Sequence, residues 1–472
     1  MLLSKTLFTI LAVLMQSEFI LAEATSLTDG VIRVDFDVHK GQTAKNIVSA
    51  DGTPRIAPRA VGAADEVNLV NESVLYLANV TIGSNKQKLG VLLDTGSSDF
   101  WVQGSTNPYC KAGTTEEVRA SPSKIRALAA NHRAFHFGFP SSLTSTSTTS
   151  IPASSQFDCS IYGSFDQSSS STFHDNKTAL SITYGDGTFA KGDFGQDTVS
   201  LGGLDVKGVN FAVANNADNS MGVLGIGIAG NEATTVATTP FQYDNFPVQL
   251  KKKGLIKKTL YSLYLNSATS NLGSVLFGGV DHAKHYGNLV PLPLVNVYPK
   301  NYPEAVSFFV TLAGVGYNKK AVSSGLISAL LDSGTTLTYL PKATISKIAS
   351  GLGYKHAFLS LTYYGPCTGL PSSVLSFLFA GVTINAPISN FLEQAYYSDG
   401  SAANNICILG LQASSTYILG DSFLRSAYAV YDLEALQVYL AQAIPNATAE
   451  DIVAVTSTIP PGTLVQQTAT TF

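Results

Sequence analysis

Residues Leu92–Trp101 read "LLDTGSSDFW". An apolar run ends at Asp94, and a turn of small and hydroxyl-bearing residues succeeds it. Such a pattern carries one carboxylate out of the end of a strand into a ring of Thr95, Gly96 and Ser97. A single copy means little, because Asp, Thr, Ser and Gly are turn formers and a strand-ending turn explains them. The sequence, however, repeats itself. "ALLDSGTTLTYL" at Ala329–Leu340 has the order of "VLLDTGSSDFWV" at Val91–Val102: apolar strand, Asp, hydroxyl residue, Gly, two more hydroxyl residues. A second pair of echoes comes later in each half, "MGVLGIG" around Gly225 and "TYILGDSF" around Gly420, each with two apolar residues before a Gly. Gly225 lies 131 residues after Asp94, or 83 once the 48 residues between Cys110 and Cys159 are set aside, and Gly420 lies 88 after Asp332. Two halves of similar length carry the same two elements in the same order.

Two carboxylates brought to one site do not both ionise readily, because like charges at close range repel. Near acidic pH one holds a proton and the other does not. The ionised group can take a proton from water while the protonated one donates to a carbonyl oxygen, which activates water against an amide without a metal or a covalent intermediate. The chemistry also wants Gly96 and Gly334, where the backbone can approach and donate to the carboxylates. Ser97 and Thr335 offer hydroxyls to the outer oxygens, and Thr95 and Ser333 can bond across to the opposite half. "ITYGDGTF" at Ile182–Phe189 places Gly185, Asp186 and Gly187 between two strand-like runs, a hairpin signal. Tyr184 at its end can close over a cleft, and Trp101, the only Trp, is placed to bond the Tyr184 hydroxyl. Alone, that segment reads better as an ordinary surface hairpin, and Trp101 reads also as plain core packing.

The 472 residues are 45% hydrophobic and only 13% charged, with net charge −4. Length and composition indicate a large core and more than one domain, and the charge balance gives no general attraction to nucleic acid. Lys251, Lys252 and Lys253 read as a solvated surface triplet. Short runs rich in Val, Ile, Leu, Tyr, Phe and Thr recur between Gly, Asn, Asp and Ser turns from Val74 onward, which predicts an all-β fold. "KATISKIASGLG" after Pro341 is one candidate helix.

The opening "MLLSKTLFTILAVLMQSEFILAEA" reads as a secretory signal over 1–24, cut after Ala22 or Ala24, its apolar run too short to span a bilayer. Residues 25–59 read as a pro-segment with a strand-like "VIRVDFDV" at Val31–Val38, and 60–290, 291–442 and 443–472 as an N-terminal lobe, a C-terminal lobe and a flexible Thr-rich tail. The tail ends polar, without a lipid-anchor signal. Four cysteines allow three pairings; their arrangement as a near pair in each half favours Cys110–Cys159 and Cys367–Cys407, in keeping with an oxidising compartment. Residues 111–158, basic and then Ser/Thr-rich, read as an exposed insertion loop open to proteolytic processing. Sequons occur at Asn71, Asn79, Asn176 and Asn446.

With these motifs in that order, over roughly Asn71 to Gln442, the chain resembles the pepsin-like aspartic proteases, most nearly their secreted yeast members, the candidapepsins and yapsins. The resemblance implies a bilobal β fold with a cleft between lobes, Asp94 and Asp332 as the catalytic pair, and Tyr184 as the flap tyrosine. It further implies an inhibitory pro-segment, the two disulfides named above, and endopeptidase action on proteins and peptides at acidic pH, with no cofactor or metal. It places the protein outside the cell as a monomer, held at the wall or free, and two-chain if the insertion is cut. The long insertion is yapsin-like. Where candidapepsins that accept a basic residue carry an Asp just before "MGVLG", this chain has Ser220, although Asp186 remains on the flap; the implied preference is for large apolar residues.

Rival chemistries fit less well. "GDSFL" at Gly420 is a short esterase-like motif, but no obvious His comes after it and no G-x-S-x-G occurs. His132 and His136 have helical spacing but lack the glutamate of H-E-x-x-H, and His282 and His285 read as solvent-facing. A pepsin-type fold that has lost catalysis is the non-enzyme alternative, yet both Asp residues and their supports are present.

Overall fold

Runs of β-branched and aromatic residues become strands where turn residues break them. The computed structural model describes residues 30–40, 47–48, 74–110, 159–184, 187–219, 221–237, 240–270, 272–357, 362–370, 373–397 and 402–459, and strands dominate it. It is the all-β, bilobal pepsin-like fold the sequence predicts. The expected helix after Pro341 runs Lys342–Leu352 and buries Ile345, Ile348, Ala349 and Leu352, the i, i+3, i+4, i+7 stripe of an amphipathic helix. It stops at Gly353, whose φ of +71° suits a residue without a Cβ.

Both halves are wired alike. The strand Gln87–Asp94 runs parallel to Gly222–Gly225, with Asp94 opposite Gly225, and Gly222–Gly225 is also antiparallel to Phe100–Gln103. In the second half, Lys320–Leu331 runs parallel to Tyr417–Leu419, which is antiparallel to Thr338–Leu340. The apolar-apolar-Gly element therefore lies between the strand that delivers the Asp and the strand that carries the chain away. This explains the second echo. A Cβ at Gly225 would fall 2.6 Å from the backbone N and O of Asp99, and one at Gly420 would strike the carbonyls of Thr335 and Leu337. Glycine is required where the departing loop crosses so closely.

The halves are joined by one continuous run of strands in a 13-stranded sheet: His285–Pro293, Gln437–Ala443, Ala427–Asp432, Leu260–Tyr264, Leu272–Phe277 and Ile32–Lys40. Two expected boundaries change as a result. A lobe division at 290 falls inside the strand His285–Pro293, and Leu260–Tyr264 pairs with Ala427–Asp432 from the far end of the chain. The tail is not loose from 443: Ile452–Ala454 is a strand antiparallel to Gly279–Asp281, and Val455 is fully buried. Its apolar side chains find a partner surface that the Thr-rich composition conceals. Residues 460–472 lie outside the described residues, as do the signal segment, the insertion 111–158 and Asn71.

Ile32–Lys40, within the expected pro-segment, is antiparallel to both Leu272–Phe277 and Val74–Ile82. His282 and His285 are corrected from solvent-facing to buried, 4% and 3% exposed. They occupy the turn on which the tail docks. The Lys251–Lys253 triplet is exposed.

Candidate active site

The strands Gln87–Asp94 and Lys320–Leu331 bring Asp94 and Asp332 to the same place. Asp94 and Asp332 are both fully buried. The local wiring is duplicated. Gly96 N–H donates to Asp94 Oδ1 at 2.7 Å, and Gly334 N–H to Asp332 Oδ1 at 2.9 Å. The Ser97 hydroxyl donates to Asp94 Oδ2, and the Thr335 hydroxyl to Asp332 Oδ2 at 2.6 Å. The glycines face the opposite carboxyl: a Cβ on Gly96 would lie 2.5 Å from Asp332 Oδ1, and one on Gly334 would collide with Asp94 Oδ1. The two carboxyls thus meet at the junction of the loops, near enough to share a hydrogen bond. Burial, with the charge of Asp332 next in size, pushes the Asp94 carboxyl well above the usual carboxylate range.

The loops are laced across the halves. Thr95 Oγ1 accepts from Ser333 N–H at 2.9 Å and donates to Leu331 O at 3.1 Å, while Ser333 Oγ accepts from Thr95 N–H at 3.1 Å and donates to Leu93 O at 2.9 Å. Four buried backbone groups are satisfied by two hydroxyls, each bonded to the other loop.

The hairpin formed by His174–Thr183 and Phe189–Leu201 carries Tyr184 at its turn, closed by Tyr184 N–H to Thr188 O at 2.7 Å and Gly187 N–H to Tyr184 O at 2.9 Å. Trp101 Nε1–H donates to the Tyr184 hydroxyl at 2.6 Å, and both side chains are buried in one apolar cluster. Gly185, Asp186 and Ser220 lie outside the described residues. Cys110–Cys159 and Cys367–Cys407 are both disulfide-bonded. Asn79, Asn176 and Asn446 are exposed. Ser422 of "GDSFL" is buried and shares a hydrogen bond with Thr338, so its hydroxyl serves the strand junction.

Sequence reasoning missed a second buried acid cluster beside the hairpin. Asp99 accepts from Ala233 N–H and from the Tyr243 hydroxyl, both at 2.8 Å, and Glu232 Oε2 accepts from Tyr243 N–H at 2.9 Å. Burial raises Asp99 to about 6 and Glu232 to about 9, and the charge of Asp99 adds to the shift on Glu232. Asp99 stands in the "DFW" of the opening motif; nothing in "GNEATT" marks Glu232 as its neighbour. Also missed was Asp421, buried beside Arg425, whose Nε donates to the Tyr76 hydroxyl at 3.0 Å.

Comparison with known proteins bears on this arrangement. The model of the family described as "Eukaryotic aspartyl protease" matches residues 75–443. The chain is 39% identical to aspartic proteinase 3 of Saccharomyces cerevisiae over 91% of this chain and 80% of that one. It is 37% identical to an acid protease of Saccharomycopsis fibuligera, over 94% and 100%, and 34% identical to secreted aspartic protease 3 of Candida albicans, over 93% and 97%. Matched over most of its length and carrying a duplicated, inward-facing aspartate loop, the chain belongs to the eukaryotic aspartyl protease family and is an aspartic-type endopeptidase.

Proposed function

We propose that Asp94 and Asp332 are the catalytic pair, sharing one proton and activating a water between them. The observation that carries this reading is the burial of the two carboxyls against each other, each held by a matching glycine N–H and hydroxyl. One carboxylate takes a proton from water as the water oxygen attacks the scissile carbonyl carbon. The other carboxyl gives its proton to the carbonyl oxygen. The resulting tetrahedral diol collapses when the dyad's proton passes to the amide nitrogen and a diol hydroxyl gives its proton back to the dyad; the C–N bond breaks, the C=O of the acid product forms, and the dyad again holds one proton. The donors from Gly96, Ser97, Gly334 and Thr335 hold both carboxyls in place and cost no reorganisation during the reaction.

Tyr184 is the flap tyrosine, held by Trp101, and closes over the substrate with Gly185, Asp186 and Gly187. Substrates are proteins and peptides with large apolar residues at the scissile bond, a lean that Ser220 supports by adding no charge there. The protein is made as a zymogen whose segment 25–59 inhibits it, and it is secreted, as the name of the Candida albicans relative, secreted aspartic protease 3, suggests. Among the described residues no helix is long and apolar enough to cross a membrane. The molecule acts as a monomer, and Asn71, Asn79, Asn176 and Asn446 are its glycosylation sites.

Cleavage of casein in acid tests the proposal. Blockade by a pepsin-type transition-state inhibitor and loss of activity in Asp94→Asn are expected. Full activity in Asp94→Asn, or abolition by a phenylmethylsulfonyl-type inhibitor, would overturn it.

A further inference from the structure

We propose that Asp218 is a positioning residue for the flap: its carboxylate replaces a backbone carbonyl as the last rung holding the hairpin's root to the body of the lobe. The inference rests on Tyr184 being the flap tyrosine, as proposed above.

The hairpin's second arm, Phe189–Leu201, pairs with Leu204–Ala217, and Ala190 opposite Ala217 is the final strand pair toward the tip. One step further, Asp218 N–H still donates to Phe189 O at 3.3 Å. The return bond of an antiparallel rung would run from Phe189 N–H to a carbonyl of the partner strand. Here Phe189 N–H donates instead to Asp218 Oδ1, at 2.7 Å. The chain is already turning away toward Asn219, which is buried and accepts from Gln103 Nε2 through its carbonyl. A side-chain acceptor lets the main chain depart while the rung is still made.

This rung sits where it can govern the hairpin tip. Tyr184 lies five residues before Phe189, across a turn closed by Tyr184 N–H to Thr188 O and Gly187 N–H to Tyr184 O. Among the described residues, the rung to Asp218 lies one step beyond the last strand pair of this arm, Ala190 opposite Ala217. The same Phe189 is braced laterally: the Tyr109 ring meets its ring edge-on at 5.9 Å, and Lys191 Nζ lies 5.6 Å above its centroid. Burial raises the Asp218 carboxyl above the ordinary carboxylate range, but a carboxyl oxygen accepts from Phe189 N–H whether or not the group is ionised, so the rung holds in acid as well.

The test uses the full-length protein, activated as the wild type is. Asp218→Ala removes the acceptor and is expected to lower kcat/KM roughly tenfold, the loss of one such bond, mainly through a higher KM, with Tm close to wild type. Asp218→Asn keeps an acceptor oxygen and should fall less than about threefold, since a neutral bond remains. Trp101, the only Trp and bonded to Tyr184, supplies a direct readout: faster acrylamide quenching is expected in Asp218→Ala and not in Asp218→Asn. If Asp218→Ala does not fold, Asp218→Glu, which keeps the charge but displaces the acceptor by a methylene, should show the same rise in KM. Wild-type KM and quenching in Asp218→Ala or Asp218→Glu, or equal losses in Asp218→Ala and Asp218→Asn, would overturn the proposal. Tyr184→Ala run in parallel separates the two failures: if it keeps wild-type kcat/KM the flap reading falls, whereas a crippled Tyr184→Ala beside an unaffected Asp218→Ala sinks only the hinge.

Discussion

Thr95 and Ser333, 238 positions apart, each satisfy the other's backbone N–H with a side-chain hydroxyl, at 2.9 and 3.1 Å. Each hydroxyl then donates to the carbonyl that precedes the opposite aspartate, Leu331 O and Leu93 O. The two carboxyls are therefore registered by a bonded frame rather than by packing alone. Thr95→Val keeps the shape but leaves Ser333 N–H buried without its acceptor, a cost of about 1–3 kcal/mol. Thermal unfolding should show Thr95→Val losing that much while Thr95→Ser stays near wild type, and activity should fall with the valine variant only.

Gly334 gives a sharper case. A methyl there collides with Asp94 Oδ1 and lies 3.2 Å from Asp332 Oδ1, so Gly334→Ala cannot keep the carboxyls in contact. We expect roughly a hundredfold loss of kcat or more, a scale typical of misplaced reacting groups, with folded protein still recovered. Gly353→Ala serves as the contrast: no atom lies near its Cβ, but its positive φ makes it costly for stability and neutral for kcat.

Trp101 and Tyr184 should behave as one unit. Trp101→Phe and Tyr184→Phe each remove the same 2.6 Å bond, a neutral hydrogen bond of about 1 kcal/mol. Each loses several-fold in kcat/KM, and the double variant should lose clearly less than the product of the two. A multiplicative result would show that the indole and the phenol act separately.

The duplicated loops were legible because the chemistry is local: Asp, a hydroxyl, Gly and a hydroxyl must stand in succession to build a carboxylate cradle, and the second echo must be Gly because Asp99 and Thr335 cross there. The helix at Lys342–Leu352 was legible for the same reason, with stripe and cap inside one short window. The features that escaped depend on distant pairing. Ile452–Ala454 is β-branched, but three residues within a Thr-rich tail do not show which surface they pair with, and the strand forms against Gly279–Asp281. His282 and His285 look polar in sequence, yet the docked tail and the Tyr428 ring, 5.1 Å from His285, bury them. Asp218 has the look of one more turn residue; its role depends on where the next strand stops.

The pH dependence of the dyad has a definite sign. Asp94 titrates well above the ordinary range, so the shared proton persists through acid and is lost as pH rises toward neutral. Activity should fall on that limb. Asp332→Asn removes the charge that helps raise Asp94 and is expected to be inactive at every pH; a rate unchanged from acid to neutral pH in the wild type would contradict the shared proton.

Glu232 and Asp99 predict how stability changes over the same range. Both are raised in the folded protein, to about 9 and about 6. A carboxyl raised in this way binds its proton more tightly folded than unfolded, so its contribution is fully present below about pH 4 and is lost as pH climbs toward the folded value. For Glu232 the decline between pH 5 and 7 is at most about 3 kcal/mol, from roughly 1.36 kcal/mol per unit. Glu232→Gln cannot lose a proton. Its amide still offers an oxygen to Tyr243 N–H, but its NH2 falls where Glu232 Oε1 has no partner, a pH-independent cost. The quantity to compare is therefore the slope: wild-type Tm should drop from pH 5 to 7 more steeply than that of Glu232→Gln, and parallel slopes would place the proton elsewhere.

His285 sets the opposite limb. Burial, with His282 next to it, lowers His285 to about 4, and the two rings meet through His282 Nδ1 and His285 Nε2 at 3.2 Å while His285 Nδ1 faces Gly287 O at 3.1 Å. The neutral pair suits this chain of contacts: His285 Nδ1–H donates to the carbonyl, and His282 Nδ1–H donates to His285 Nε2. An added proton has no ready acceptor, because His282 Nε2 is buried without a partner. The groups around the pair are Asp281, raised by burial, Lys284 and Tyr428. The tail is fastened to this turn: Lys284 Nζ donates to Ala447 O and Ala449 O, and Asp451 N–H donates to Asp281 Oδ1. A histidine depressed from 6.5 to about 4 takes up its proton more readily once unfolded, so stability is lost as pH falls through that window. Hydrogen exchange across residues 444–455 should therefore quicken between about pH 6.5 and 4 more than exchange in the Asp94 and Asp332 strands. His285→Gln, which cannot charge, should flatten that rise. Exchange in 444–455 that keeps step with the two central strands at every pH would show that the histidine pair does not govern the tail.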